Sequence, residues 1–152
     1  MKKQLITILF SASLLIPMLT QAAEIKTFTD VNSTTSYKTA IDFMSRNAVV
    51  EGYSDNTFRP DTCVNRVELI KMIMWATQVN TSKYSAPLFS DTPDNQWFSP
   101  YLKAAISLQI VNGYPDGTFK PAQCVNRVEA IKMATKMFFG LYNSETDIDY
   151  TE

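Results

Sequence analysis

The sequence predicts a mainly α-helical fold made of two tandem helix–loop–helix units. Three observations carry this prediction. The hexapeptide Cys-Val-Asn-Arg-Val-Glu stands at 63–68 and again, unchanged, at 124–129. The match extends around it without a gap, with 16 of the 23 positions from Val50 to Met72 identical to those from Val111 to Met133. Apolar residues recur at helical spacing on both sides of the hexapeptide. A unit of this length that repeats cannot easily bury its apolar face alone, so the copies are expected to pack on each other.

In chain order, the first 23 residues read as a secretory signal peptide rather than as part of the fold. Met1-Lys2-Lys3 is a basic start, Leu5 to Leu19 is an apolar run containing Pro17, and Ala22-Ala23 offers a small-residue cleavage site. The run is short for a membrane span of about 20 residues, so the expected chain is exported and keeps no transmembrane segment. Without Lys2 and Lys3, 12 basic residues face 15 acidic ones, a net charge of −3. Four of those acids, Glu145, Asp147, Asp149 and Glu152, lie in a C-terminal tail at 141–152. The near-neutral body lacks the basic face that nucleic-acid binding needs.

The first repeat is assigned to 24–83 and the second to 84–140. The first helix of each unit is expected at 36–49 and 98–110. Ala40, Ile41, Met44 and Ala48 share one face, as do Leu102, Ala105, Ile106 and Ile110. Gly52 and Gly113 are expected to stop these helices, as glycine past a helix C-terminus does. The loops that follow read Gly52-Tyr53-Ser-Asp55-Asn56-Thr-Phe and Gly113-Tyr114-Pro-Asp116-Gly117-Thr-Phe. The exchange of Asn56 for Gly117 predicts a left-handed residue there, with Asp55 and Asp116 holding the turn. These loops lack the spaced carboxylates of an EF-hand, and no calcium is expected. The second helices are expected from the hexapeptide to about Val79 and Phe139. Residues 80–88 form a polar linker.

Within the hexapeptide, Asn65 and Asn126 stand where an N-cap belongs, and Glu68 and Glu129 lie three residues on. This is a capping-box arrangement. Val64 and Val125 precede the cap, where an apolar residue can staple the first turn. Arg66 and Arg127 remain unexplained by capping, because a cation is mildly unfavourable at a helix N-terminus. A guanidinium beside free backbone N–H groups makes an anion site suited to a carboxylate.

Phe-Ser-Asp at 89–91, Trp97, the run Ile-Val-Asn-Gly-Tyr-Pro-Asp-Gly-Thr-Phe-Lys-Pro at 110–121 and Val-Asn-Arg-Val-Glu together resemble the S-layer homology repeat. The resemblance covers both copies, about 25–140. It implies helical repeats packed around a pseudo-symmetry axis. It also implies non-covalent attachment of an exported bacterial protein to the cell envelope. The implied ligand is a cell-wall polysaccharide, often pyruvylated, or a peptidoglycan-associated polymer. By the same resemblance, Arg66 and Arg127 contact the anionic ketal, Trp97 is a platform for a sugar face, and the Gly52-Tyr53 and Gly113-Tyr114 loops line the groove. The chain departs from the family in three ways. Members commonly carry three repeats and only two are visible, Ser36 replaces Trp97 in the first copy, and Asn replaces the threonine before the arginine. A complete threefold arrangement would need a second chain. This leaves an alternative in which the repeats form a homo-oligomer or complete another such protein without binding glycan.

Cys63 and Cys124 occupy equivalent positions in a chain expected in an oxidising compartment. They are compatible with an intramolecular disulfide, with a bridge between chains, or with buried thiols. No catalytic residues, cofactor or metal site are expected. The sequence contains no histidine, which removes Ser-His-Asp and Cys-His catalysis and histidine-ligated zinc, and two cysteines alone do not make a zinc site.

Overall fold

The structure is a computed structural model that describes residues 26–145, with side chains described to residue 140. The expected signal peptide lies outside the described residues, and so do residues 146–152 of the acidic tail. Four α-helices follow in order: α1 (Lys38–Arg46), α2 (Arg66–Ala76), α3 (Ser99–Ser107) and α4 (Arg127–Glu145). A 3-10 turn at Thr81–Lys83 lies in the linker. Among the described residues the only bridge pairing outside helices is Asn65 with Cys124, and no helix is long and apolar enough to cross a membrane.

The first helices are shorter than expected, nine residues each. Their stop signals are Ala48 and Gln109, which take left-handed φ values of 55° and 56°. The Val49 N–H then donates to the Met44 carbonyl and the Ile110 N–H to the Ala105 carbonyl, both at 2.9 Å. This is the Schellman closure. Its usual apolar residue follows the left-handed one, and Val49 and Ile110 are buried. Helix α2 ends in the same way at Gln78 and Val79. The expectation that Gly52 and Gly113 stop the helices is therefore corrected. These glycines make room for the rings of Phe28 and Phe89 and for the Thr57 and Thr118 carbonyls, which a Cβ would meet at 2.6 and 2.9 Å.

Each loop is tied back to the start of its own repeat. Asp30 accepts hydrogen bonds from the Phe58 and Arg59 N–H groups at 2.8 and 2.7 Å. Asp91 does the same for Phe119 and Lys120. Phe28 packs on Phe58 and Phe89 on Phe119. At the turn, Asn56 and Gly117 are left-handed (φ 65° and 79°). The Asp55 and Asp116 carboxylates accept the Thr57 and Thr118 N–H groups.

The core lies between the repeats. Helix α2 packs on α3 and α4. Val67, Ile70 and Met74 of α2 are buried with Leu102, Ala105, Phe119 and Met133 of the second repeat. Ala40 and Ala48, expected on the buried face of the first helix, are exposed, and only Ile41 of α1 is buried. The reason is positional: α3 has α2 against it, whereas no described helix covers α1 in the same way. The joint is closed by backbone bonds from Arg66 N–H to the Gln123 carbonyl (3.0 Å) and from Val125 N–H to the Val64 carbonyl (2.9 Å). Val64 thus contributes through its backbone, while its side chain is exposed. Beside these bonds Cys63 and Cys124 form an intramolecular disulfide with Cα atoms 5.7 Å apart.

Candidate functional site

Both hexapeptides start their helices with a capping box. The Asn65 side chain accepts from the Glu68 N–H, and the Glu68 carboxylate accepts from the Asn65 N–H, both at 2.9 Å. Asn126 and Glu129 repeat this at 2.9 and 3.2 Å. The two arginines that follow have opposite surroundings. Arg66 is 5 % exposed. Its Nη1 donates to Glu129 at 3.1 Å, and its guanidinium lies 4.5 Å from the Phe119 ring centroid and 5.1 Å from that of Tyr114. Its buried Nε has no hydrogen-bond partner among the described residues. Arg127 is exposed, and no ion pair involving it is found among the described residues.

Two clefts result, one per repeat, at equivalent positions. The first has a volume of about 440 Å³. Gly52, Tyr53, Phe58 and Glu68 line it from the first repeat, and Trp97 closes it from the second. Trp97 is half-exposed and sits edge-on to Phe98. The second cleft is about 170 Å³, lined by Gly113, Tyr114, Glu129, Lys132 and Lys136, with Arg66 entering from the first repeat. The structure thus brings Gly52, Tyr53 and Trp97 together, and Arg66, Gly113 and Tyr114 together. Arg127 lines neither cleft.

Sequence reasoning missed the cations of the first cleft, Arg59 and Lys71. Arg59 stacks 3.9 Å from the Tyr53 ring centroid and pairs with Asp55 at 2.8 Å. Lys71 pairs with Glu51 at 2.6 Å and lies 4.3 and 5.9 Å from the rings of Trp75 and Trp97. The signal was there: Arg59 matches Lys120 and Lys71 matches Lys132 across the repeat. Hydrogen bonds from Thr57 and then Arg59 hold the Asp55 carboxyl down to about 2. Desolvation and the neighbouring Glu68 push the Tyr53 hydroxyl up. Both carboxylate partners of these cations are more than half exposed. Ion pairs of that kind are weak and exchangeable for an incoming carboxylate.

The profile of the S-layer homology domain matches residues 27–70 and 88–131, and the chain belongs to that family. It is 31 % identical over 107 residues to cell surface glycoprotein 1 of Acetivibrio thermocellus, covering 64 % of this chain and 5 % of that protein. It is 26 % identical over 141 residues to the middle cell wall protein of Brevibacillus brevis, covering 90 % and 13 %. It is 23 % identical over 113 residues to a cellulosome-anchoring protein of A. thermocellus, covering 72 % and 25 %. The chain therefore spans a quarter or less of these relatives. No solved structure matches it. Family and relatives indicate an exported protein of the cell envelope.

Proposed function

We propose that the chain attaches to cell-envelope glycan through the first cleft, with the smaller second cleft as an auxiliary subsite. One observation carries this reading: a half-exposed tryptophan at the mouth of a cleft of about 440 Å³ that also holds two cations. A sugar ring presents an apolar face of C–H groups that an indole can cover. A pyruvate ketal adds a carboxylate that a lysine or guanidinium binds with charge-assisted hydrogen bonds. Trp97 stacks the sugar, Lys71 and Arg59 take the carboxylate, and Gly52 and Tyr53 shape the wall. Arg66, Gly113 and Tyr114 serve the second cleft. The exposure of Arg127 outside both clefts argues against a direct contact with glycan in a single copy. The likeness to surface and anchoring proteins supports an attachment role without catalysis.

The test is retention on purified wall fractions, with and without chemical removal of ketals. Lys71→Ala is expected to weaken retention on ketal-bearing polymer by about 1.5–3 kcal/mol, the worth of a charged hydrogen bond. It should change nothing once ketals are removed. Trp97→Ala should weaken both. Full retention by both variants would overturn the reading. A second reading, in which the repeats join other copies in place of glycan, draws on the exposed face of α4.

A further inference from the structure

We propose that two copies of this chain associate head to tail, α4 of one docking on the first repeat of the next. Arg127 enters the socket formed there by Tyr53, Phe58 and Glu68. The warrant is the joint that the chain already makes within itself. There, α2 presents Arg66, Val67 and Ile70 to the second repeat, and these are 5, 3 and 1 % exposed. The receiving socket is Tyr114, Phe119 and Glu129, with Arg66 over both rings and paired with the carboxylate. Phe119 beneath it is fully buried.

Each half of that joint has a counterpart in the same molecule that no described element covers. Helix α4 carries Arg127, Val128 and Ile131 at the positions of Arg66, Val67 and Ile70. Arg127 is exposed, and Val128 and Ile131 are 75 and 59 % exposed. The first repeat carries Tyr53, Phe58 and Glu68 at the positions of Tyr114, Phe119 and Glu129. These line the larger cleft, and Phe58 is only half-buried where Phe119 is fully so. Among the described residues no counterpart of Arg66 enters the first cleft from a neighbouring repeat, and that cleft is the larger of the two. Beside it, Tyr37 at the N-cap of α1 and Phe43 within α1 are exposed, whereas their counterparts, Phe98 at the N-cap of α3 and Ala104 within α3, are buried. Phe43 is bulkier than Ala104, which sets two copies somewhat farther apart than two repeats.

The two faces match in charge, Arg127 against Glu68, and in apolar content, Val128 and Ile131 against Phe43 and Tyr37. They match each other and not themselves, so the contact is heterologous and closes into a ring or extends with concentration. Arg127 would enter the same cleft that the glycan reading fills, as Arg66 enters the second, so the two occupants compete for it; the sedimentation readout needs no glycan and tests this inference alone.

The experiment is sedimentation of the purified mature chain over a concentration series. The weight-average mass is expected to rise with concentration. Arg127→Glu sets two carboxylates together, and Phe43→Asp sets a charge in the apolar contact. Both positions are exposed, so each variant should fold with unchanged melting and remain monomeric at concentrations at least tenfold above the wild-type midpoint. Mixed, the two variants should form a one-to-one complex, because one sound α4 and one sound first repeat remain. A wild type that stays monomeric up to its solubility limit overturns the proposal. So does an oligomer that survives both substitutions, or a mixture that stays dissociated.

Discussion

Arg66 and Arg127 begin identical helix starts, yet one is a core residue and the other a surface residue. The difference comes from what stands opposite. Arg66 faces the second repeat, where Glu129 and the rings of Phe119 and Tyr114 replace its water. Ring faces attract a guanidinium, the more so when it is desolvated. Truncation to alanine leaves Glu129 partly buried without its cation and opens space over Phe119. Arg66→Ala is therefore expected to cost about 2–3 kcal/mol, below the range for a fully buried pair because Glu129 keeps some water. Arg127→Ala should stay within about 0.5 kcal/mol, as surface changes do. Urea denaturation of dilute protein measures both. Equal costs would contradict the burial difference. Nothing inside the hexapeptide distinguishes the two copies, so this asymmetry was not legible from the motif. It follows from which copy has another repeat packed on it among the described residues.

The same reasoning separates what could be read at the level of elements from what could not. The helix starts were legible, because capping is local: Asn65 with Glu68 and Asn126 with Glu129 bond within one turn. The turns at Asn56 and Gly117 were legible for the same reason. The ends of the first helices were not. Ala48 and Gln109 adopt a left-handed conformation with no glycine to announce it, held by the burial of Val49 and Ile110 just beyond. That is a tertiary cause. Trp97 and Tyr53 were expected in the candidate site from the sequence, whereas Lys71 and Arg59 carried only their match to Lys132 and Lys120, and the fold sets them beside those rings. The glycines give an element-level test. Gly117 needs only its positive φ, with open space where a Cβ would stand, so Gly117→Ala should cost about 1 kcal/mol. Gly52 needs both a positive φ and the space that Phe28 and the Thr57 carbonyl occupy. Gly52→Ala should cost about 2–4 kcal/mol, strain plus overpacking. Similar melting temperatures for the two variants would refute this account of Gly52.

Across the whole molecule, one joint does most of the holding, and the disulfide lies on it. Cys63 and Cys124 flank the backbone bonds between Arg66 and Gln123 and between Val64 and Val125. The core next to them is shared: Val67 and Ile70 come from one repeat, Leu102 and Phe119 from the other. A bridge across 61 residues restricts the unfolded chain, which in the chain-entropy account stabilises the fold by about 4 kcal/mol. Reduction, or the double substitution Cys63→Ser with Cys124→Ser, should lower the melting temperature by roughly 10–20 °C for a domain of this size. The unfolding transition should nevertheless remain single, because the shared core, not the bridge, couples the repeats. Calorimetry of the oxidised, reduced and substituted chains decides both points. Two separate transitions after reduction would mean that the repeats are independent and merely tied together. An unchanged melting temperature would mean that the bridge leaves the unfolded ensemble as broad as before.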